Sequence, residues 1–203
     1  NTEAAAVVLA NAAHAAQLLA PWGAAAWPLQ RVRGQLSHWQ GSAGGLALPL
    51  AGDGYALPLS TALGDGVLCG ASSDIGDDEV DARAADHDYN LERLARLCGL
   101  SPAADAAVHG RVAWRFQADD KLPVVGPVPR LGAAGARADQ ARLLPRQDGL
   151  FVCTALGGRG ITSAPLMGAT VAAQVAGTPQ PLEQSLLDAI DPGRWQVRAA
   201  RKG

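Results

Sequence analysis

Two nearly unbroken apolar runs stand near the two ends of the chain, residues 7–10 (VVLA) and 150–156 (LFVCTAL). Such runs suit strands covered on both faces. Between them the rhythm changes. Residues 29–39 (LQRVRGQLSHW) alternate as a half-buried strand does, with Gly34 placed for a bulge or a close backbone approach. Residues 46–50, 54–58 and 67–71 form a meander of short strands with glycine-containing turns. Residues 108–116 and 122–126 read as two more strands, and 74–80 as an acidic loop. Helical spacing appears at residues 14–19, stopped by Pro21, and at 81–98, where Leu91, Leu94, Ala95 and Leu97 precede Gly99. It returns at 164–176, with Ser163 as N-cap, Pro165 in the first turn and Gly177 as the stop, and at 182–190. Residues 132–140 are rich in Ala, Gly and Arg without a period, which predicts a surface loop.

The outer segments are thus strand–glycine–helix units, and the middle is a meander with one helix. The expected fold is an α/β lobe interrupted by an α+β, antiparallel-sheet lobe, with boundaries at 1–35, 36–130 and 131–203. A chain of 203 residues that is 48% hydrophobic can bury a real core. Its net charge of −2 carries no global signature of nucleic acid or membrane. Charge is placed unevenly, however: Arg194, Arg198, Arg201 and Lys202 crowd the last ten residues with no acid among them. That run is either a solvated tail or a set of phosphate contacts. Cys69, Cys98 and Cys153 lack metal or disulfide spacing, which favours a reducing, cytoplasmic setting. The chain opens at Asn1 directly before a core strand, the start expected of a piece of a longer protein.

The strongest chemical signal is the turn Gly157-Gly158-Arg159-Gly160 between strand and helix. Bare N–H groups and the positive end of a helix dipole favour electron-rich ligand atoms there. It is not a Walker loop, and the dinucleotide fingerprint GxGxxG occurs nowhere in the 203 residues. Arg159 either points to solvent or holds charge at the site. Arg115, between Trp114 and Phe116, can grip a carboxylate bidentately, or else pair with Asp119 or Asp120. Tyr55, in GDGYALP, offers a hydroxyl to a ligand or to water. His14, His38, His87 and His109 are scattered without ligand spacing and read as surface histidines.

Taken in order, VVLANAA, LQRVRGQLSHW, GDGYALP, WRFQADDKLPVVGPVP and GLFVCTALGGRGITSAPL resemble the D-amino-acid-oxidase-like family of FAD enzymes over nearly the whole chain. Arg115, Asp120 and Pro123 fit its Arg-x4-Asp-x2-Pro pattern, although Phe116–Asp119 match it loosely. The resemblance implies a Rossmann-like FAD lobe interrupted by a mixed-sheet substrate lobe. It implies that Gly157, Gly158, Arg159, Gly160 and Ile161 meet the flavin ring, that Arg115 binds substrate, and that Tyr55 assists. The ending LLDAIDPGRWQVRAARKG is similar to a branch of the family that modifies wobble uridine in tRNA.

That branch removes the carboxymethyl group from 5-carboxymethylaminomethyl-(2-thio)uridine and carries an N-terminal methyltransferase half that uses S-adenosylmethionine. Arg194, Arg198, Arg201 and Lys202 are then its tRNA contacts, and no side-chain base is obligatory. Two other readings stay open: a glycine- or sarcosine-type amine oxidase, and a non-catalytic RNA-binding or scaffold module. Because the first βαβ unit that carries the FAD pyrophosphate is absent, the 203 residues alone are expected not to hold FAD.

Overall fold

The computed structural model describes residues 4–22, 27–41, 45–61, 64–130 and 139–201. The chain divides into a terminal unit, Asn1–Arg31 with Arg115–Gly203, and a central unit, Val32–Trp114.

In the terminal unit the two apolar runs find each other. Strand β1 (Val7–Leu9) lies parallel to β9 (Arg146–Thr154), with Val7 opposite Leu150 and Leu9 opposite Val152. Strand β8 (Val124–Pro129) adds antiparallel to β9, giving the order β1-β9-β8. Residues 122–126, expected with the middle lobe, therefore belong to the outer sheet. Side chains alternate across it. Val124, Val128 and Val152 join Ala15, Leu19 and Ala118 on one face. Val125, Phe151 and Cys153 face the other, against Met167 and Val171. Helix α1 (Ala13–Leu18) supplies the first cover, and α3 (Gly160–Ala176) the second. Cover on both faces explains the lack of alternation in the apolar run of β9.

Two short helices close this unit: α4 (Gln184–Ile190) and α5 (Arg194–Ala200). The basic run is thus mostly helical. Lys202 and most of residues 132–140 lie outside the described residues. Arg146 holds Asp191, between the two helices, with bonds of 3.0 and 2.9 Å.

The central unit is a sheet ordered β3-β4-β5-β2-β6, from β3 (Leu50–Gly52), β4 (Gly54–Thr61), β5 (Gly64–Gly70), β2 (Leu29–Gln40) and β6 (Asp74–Ile75). Strand β7 (His109–Ala118) also pairs with β2. Helix α2 (Ala84–Cys98) packs Leu94 against Trp39, Ala56, Val67 and Cys69. It ends where expected, with Gly99 left-handed at φ 71°. Residues 46–49, read as strand, are irregular, and the meander's first strand begins only at Leu50.

One face of β2 is buried yet polar. Arg33, Gln35 and Ser37 are each 0% exposed. Arg33 donates to the Glu79 and Asp81 carbonyls, both at 2.7 Å, and to Asp86 at 2.6 Å. Gln35 exchanges two bonds with the Arg83 backbone, and Asn90 donates to Gln35 O and Ser37 Oγ. The residue period is that of a strand, but its inward face clamps the acidic segment instead of packing oil. Among the described residues no helix is long and apolar enough to cross a membrane.

Replacing Arg33 by Met leaves Asp86 and two backbone carbonyls without their donor. The central unit should lose about 3–5 kcal/mol in urea titrations followed by circular dichroism. A second test uses His38, whose ring centroid lies 5.5 Å from that of His109. Burial, then the neighbouring His109 and His87, push its pKa below the ordinary 6.5. The unfolded chain binds this proton more readily, so its contribution is complete above about pH 6.5 and is lost as pH falls through the lowered value. Urea midpoints should drop between pH 7 and pH 5, and His38→Gln should flatten that slope.

Candidate functional site

The turn after β9 is built to leave backbone exposed. Gly157 sits at φ 58°, in the left-handed region that a side chain rarely adopts, and it opens a single 3₁₀ turn, Gly157–Arg159. Helix α3 then starts at Gly160, four residues before the expected Ala164. Ser163 is therefore not its N-cap. Its hydroxyl donates backward to the Arg159 carbonyl at 2.8 Å, and the Thr162 hydroxyl does the same at 3.0 Å. No side chain caps the helix start, and no acidic residue lies in its first turn. The donors of a 17-residue helix are thus presented to whatever approaches the turn. Gly158 and Arg159 are exposed, and Ile161 is 96% exposed.

The structure brings Arg115 to this turn. The end of β7 makes an isolated antiparallel bridge, Gln117 to Leu156, immediately before the glycines. A methyl group on Gly157 would touch Gln117 Cβ at 3.4 Å, and one on Gly158 would lie 3.9 Å from Arg115 Cδ. The guanidinium stem thus lies beside bare backbone. Nearby, Asp120 is held by Arg194 and Arg198, and Asp119 accepts from Trp195 Nε1 at 3.4 Å. Tyr55 belongs to the central unit, half-buried on β4, opposite Gly70 of β5. A methyl group at Gly70 would come 3.4 Å from its hydroxyl.

An uncapped helix start, glycines without Cβ atoms and a neighbouring arginine fit the electron-rich edge of a flavin ring and an anionic substrate beside it. The residues that fit the group are Gly157, Gly158, Gly160 and the backbone of Ile161. Among the described residues no group of three or more His, Cys, Asp or Glu is placed to hold a metal ion. Cys153, half-buried behind the turn with its thiol pKa raised by burial, serves as a small hydrophobe.

Within the basic run, Arg194 is only 3% exposed. It binds Asp120 with two bonds of 2.9 Å, donates to the Leu122 and Pro123 carbonyls, and stacks 3.8 Å from the Trp195 ring centroid. Burial works to raise the Asp120 carboxyl, but hydrogen bonds from Arg194 and Arg198 outweigh it and hold the group below its usual range. Spacing in sequence does not report that a helix has turned one arginine inward. The Asp120 of the Arg-x4-Asp-x2-Pro pattern was the available signal.

Residues 1–174 match the family described as FAD dependent oxidoreductase (DAO), and the chain belongs to that family. The cofactor this family indicates is FAD. Among its relatives is the tRNA 5-methylaminomethyl-2-thiouridine biosynthesis bifunctional protein MnmC of Methylibium petroleiphilum, 44% identical over 209 residues, covering 96% of this chain and 32% of that protein. The MnmC protein of Burkholderia mallei is 43% identical over 210 residues, covering 99% of this chain. The chain thus spans about a third of the length of these relatives. The fold is also that of glycine oxidase from Geobacillus kaustophilus, with TM-score 0.68 and 26% identity over 92% of this chain and 44% of that one. Iminodiacetate oxidase from Chelativorans sp. BNC1 shares the fold at TM-score 0.68 and 24% identity, over 94% of this chain and 47% of that one.

Arg194→Met should act on stability. With half-buried Asp120 left beside lost donors, the urea midpoint should fall, with a loss of about 3 kcal/mol.

Proposed function

We propose that the chain is the oxidoreductase portion of a bifunctional, cytoplasmic tRNA-modifying flavoprotein. It removes the carboxymethyl group from 5-carboxymethylaminomethyl-(2-thio)uridine at the wobble position and leaves the aminomethyl uridine for methylation. The observation that carries this reading is 44% identity to MnmC across 96% of the chain, with the glycine turn and Arg115 inside the matched region.

The substrate side chain is an N-substituted glycine. Arg115 holds its carboxylate bidentately and so fixes the methylene carbon next to the turn. The methylene loses a hydride and the nitrogen a proton, leaving a C=N bond. Water adds across that bond, and glyoxylate departs from the amine. Bound FAD supplies the two-electron acceptor for this oxidation. The uncapped backbone at Gly157–Ile161 would hold the electron-rich edge of that group when it is bound. Tyr55 enters the substrate site on the family resemblance alone.

The edge of β1 gives the rest of the FAD lobe a place. Val7 and Val8 are 46% and 42% exposed, and β1 ends the described sheet. Apolar grooves of about 460 and 630 Å³ flank it, one lined by Leu9, Leu18 and Trp22, the other by Val8, Ala164 and Val171. In this reading the βαβ unit that carries the FAD pyrophosphate adds its strand there, and a methyltransferase half that uses S-adenosylmethionine precedes it.

A glycine-type amine oxidase is the second reading, favoured by the 26% identity to glycine oxidase. The complete protein, loaded with FAD, should convert the modified uridine in tRNA and release glyoxylate, as measured by nucleoside mass spectrometry. Turnover of free glycine with none on tRNA would select the second reading. Arg115→Lys should lower kcat/KM by about 1–3 kcal/mol of transition-state stabilisation, because one ammonium cannot replace the bidentate fork. Unchanged kinetics would remove Arg115 from the site.

A further inference from the structure

A polar cleft of about 230 Å³ opens in the terminal unit between the 3₁₀ turn Ala141–Leu143, α4 and α5. Its floor is apolar, from Ala141 and Val197, and its rim carries Arg198, Arg201 and Asp188. Arg142 adds its charge by pairing with Asp188 at 3.7 Å.

The charges around this cleft do not cancel. Asp120 is shared by Arg194 and Arg198, with nitrogen–oxygen distances of 2.9 and 2.7 Å. Asp188 is met by Arg142. Arg201 donates to the Asp139 backbone carbonyl at 2.8 Å, a neutral partner that leaves its charge intact. Among the described residues four guanidiniums therefore stand against three carboxylates, those of Asp120, Asp188 and Asp139, and one positive charge is left over. The surplus sits on the exposed side. Arg198 is 45% exposed and Arg201 is exposed, whereas Arg194 is buried beneath them and fixes the helix that carries both. A guanidinium anchored through one nitrogen keeps others free for an anion.

We infer that this cleft seats a backbone phosphate of RNA, with Arg198 and Arg201 as its ligands and Arg142 at the rim. The assignment rests on the proposed action on tRNA. It replaces a whole basic tail with a defined site, from which Arg194 is excluded and to which Arg142 is added. The apolar floor gives the sugar that carries the phosphate something to rest on, and no base edge is read.

The test is fluorescence anisotropy of a labelled anticodon stem–loop RNA on the complete protein across a salt series. Arg198→Gln with Arg201→Gln should weaken binding and reduce the slope of log K against log salt by roughly 0.7–0.9, the one phosphate contact that both arginines make. Arg201→Gln alone, at an exposed position, should give about half that change. Arg201→Lys, which keeps the charge, should restore the wild-type slope. An unmoved slope in both glutamine variants overturns the site. So does an Arg201→Lys slope equal to that of Arg201→Gln, or displacement of the RNA by an equal phosphate concentration of ADP, which would make the cleft one for free nucleotides. Wild-type turnover of modified tRNA separates the two claims: turnover with an unmoved slope sinks only the cleft, and no turnover on tRNA sinks the function.

Discussion

The parallel pairing of β1 with β9 is the constraint on which the candidate site depends. Both strands run the same way, so their carboxyl ends lie side by side, the position where open α/β sheets bind ligands. A hydrogen bond from Thr154 Oγ1 to the Ala12 carbonyl, 2.9 Å long, ties the two ends together. From one end β9 passes into the glycine turn, and from the other β1 passes into α1. The pairing also decides which faces are buried. With α3 on one side and α1 on the other, β9 must be apolar at successive positions, as Leu150–Cys153 are.

The second requirement is that β7 end beside that turn. The Gln117–Leu156 bridge achieves this with backbone hydrogen bonding, and the missing side chains at Gly157 and Gly158 make room for it. Arg115, two residues earlier on β7, is then delivered without any loop of its own. On the far side of the turn following β7, Asp120 anchors α5 through Arg194. One short segment, Arg115–Asp120, thus lies along the glycine turn at one end and anchors α5 at the other.

Much of this was legible in the residues. The strand–glycine–helix order at 150–176, the meander and the helix ending at Gly99 follow from period and turn chemistry, and the pattern around Arg115 from resemblance to the family. Three features were not. Arg33, Gln35 and Ser37 alternate as solvent-facing residues do, yet all are buried, because their partners are backbone carbonyls and side chains some fifty positions away. Ser163 and Pro165 mimic a helix start, while the true start at Gly160 needs no cap residue because its 3₁₀ turn leads into it. Arg194 reads as one more tail cation.

By itself the sequence determined the local alphabet of this protein: which stretches are strands or helices, and where glycine must turn the chain. Those properties depend on neighbours a few residues apart, and periodicity records them directly. Only the tertiary structure decided which charges are structural and which are free. Asp120 and Arg194 are 74 positions apart, and Gln117 and Leu156 also meet only in the fold. Burial of a charge is set by the carboxylates and carbonyls that surround it in space, and no window of sequence contains them.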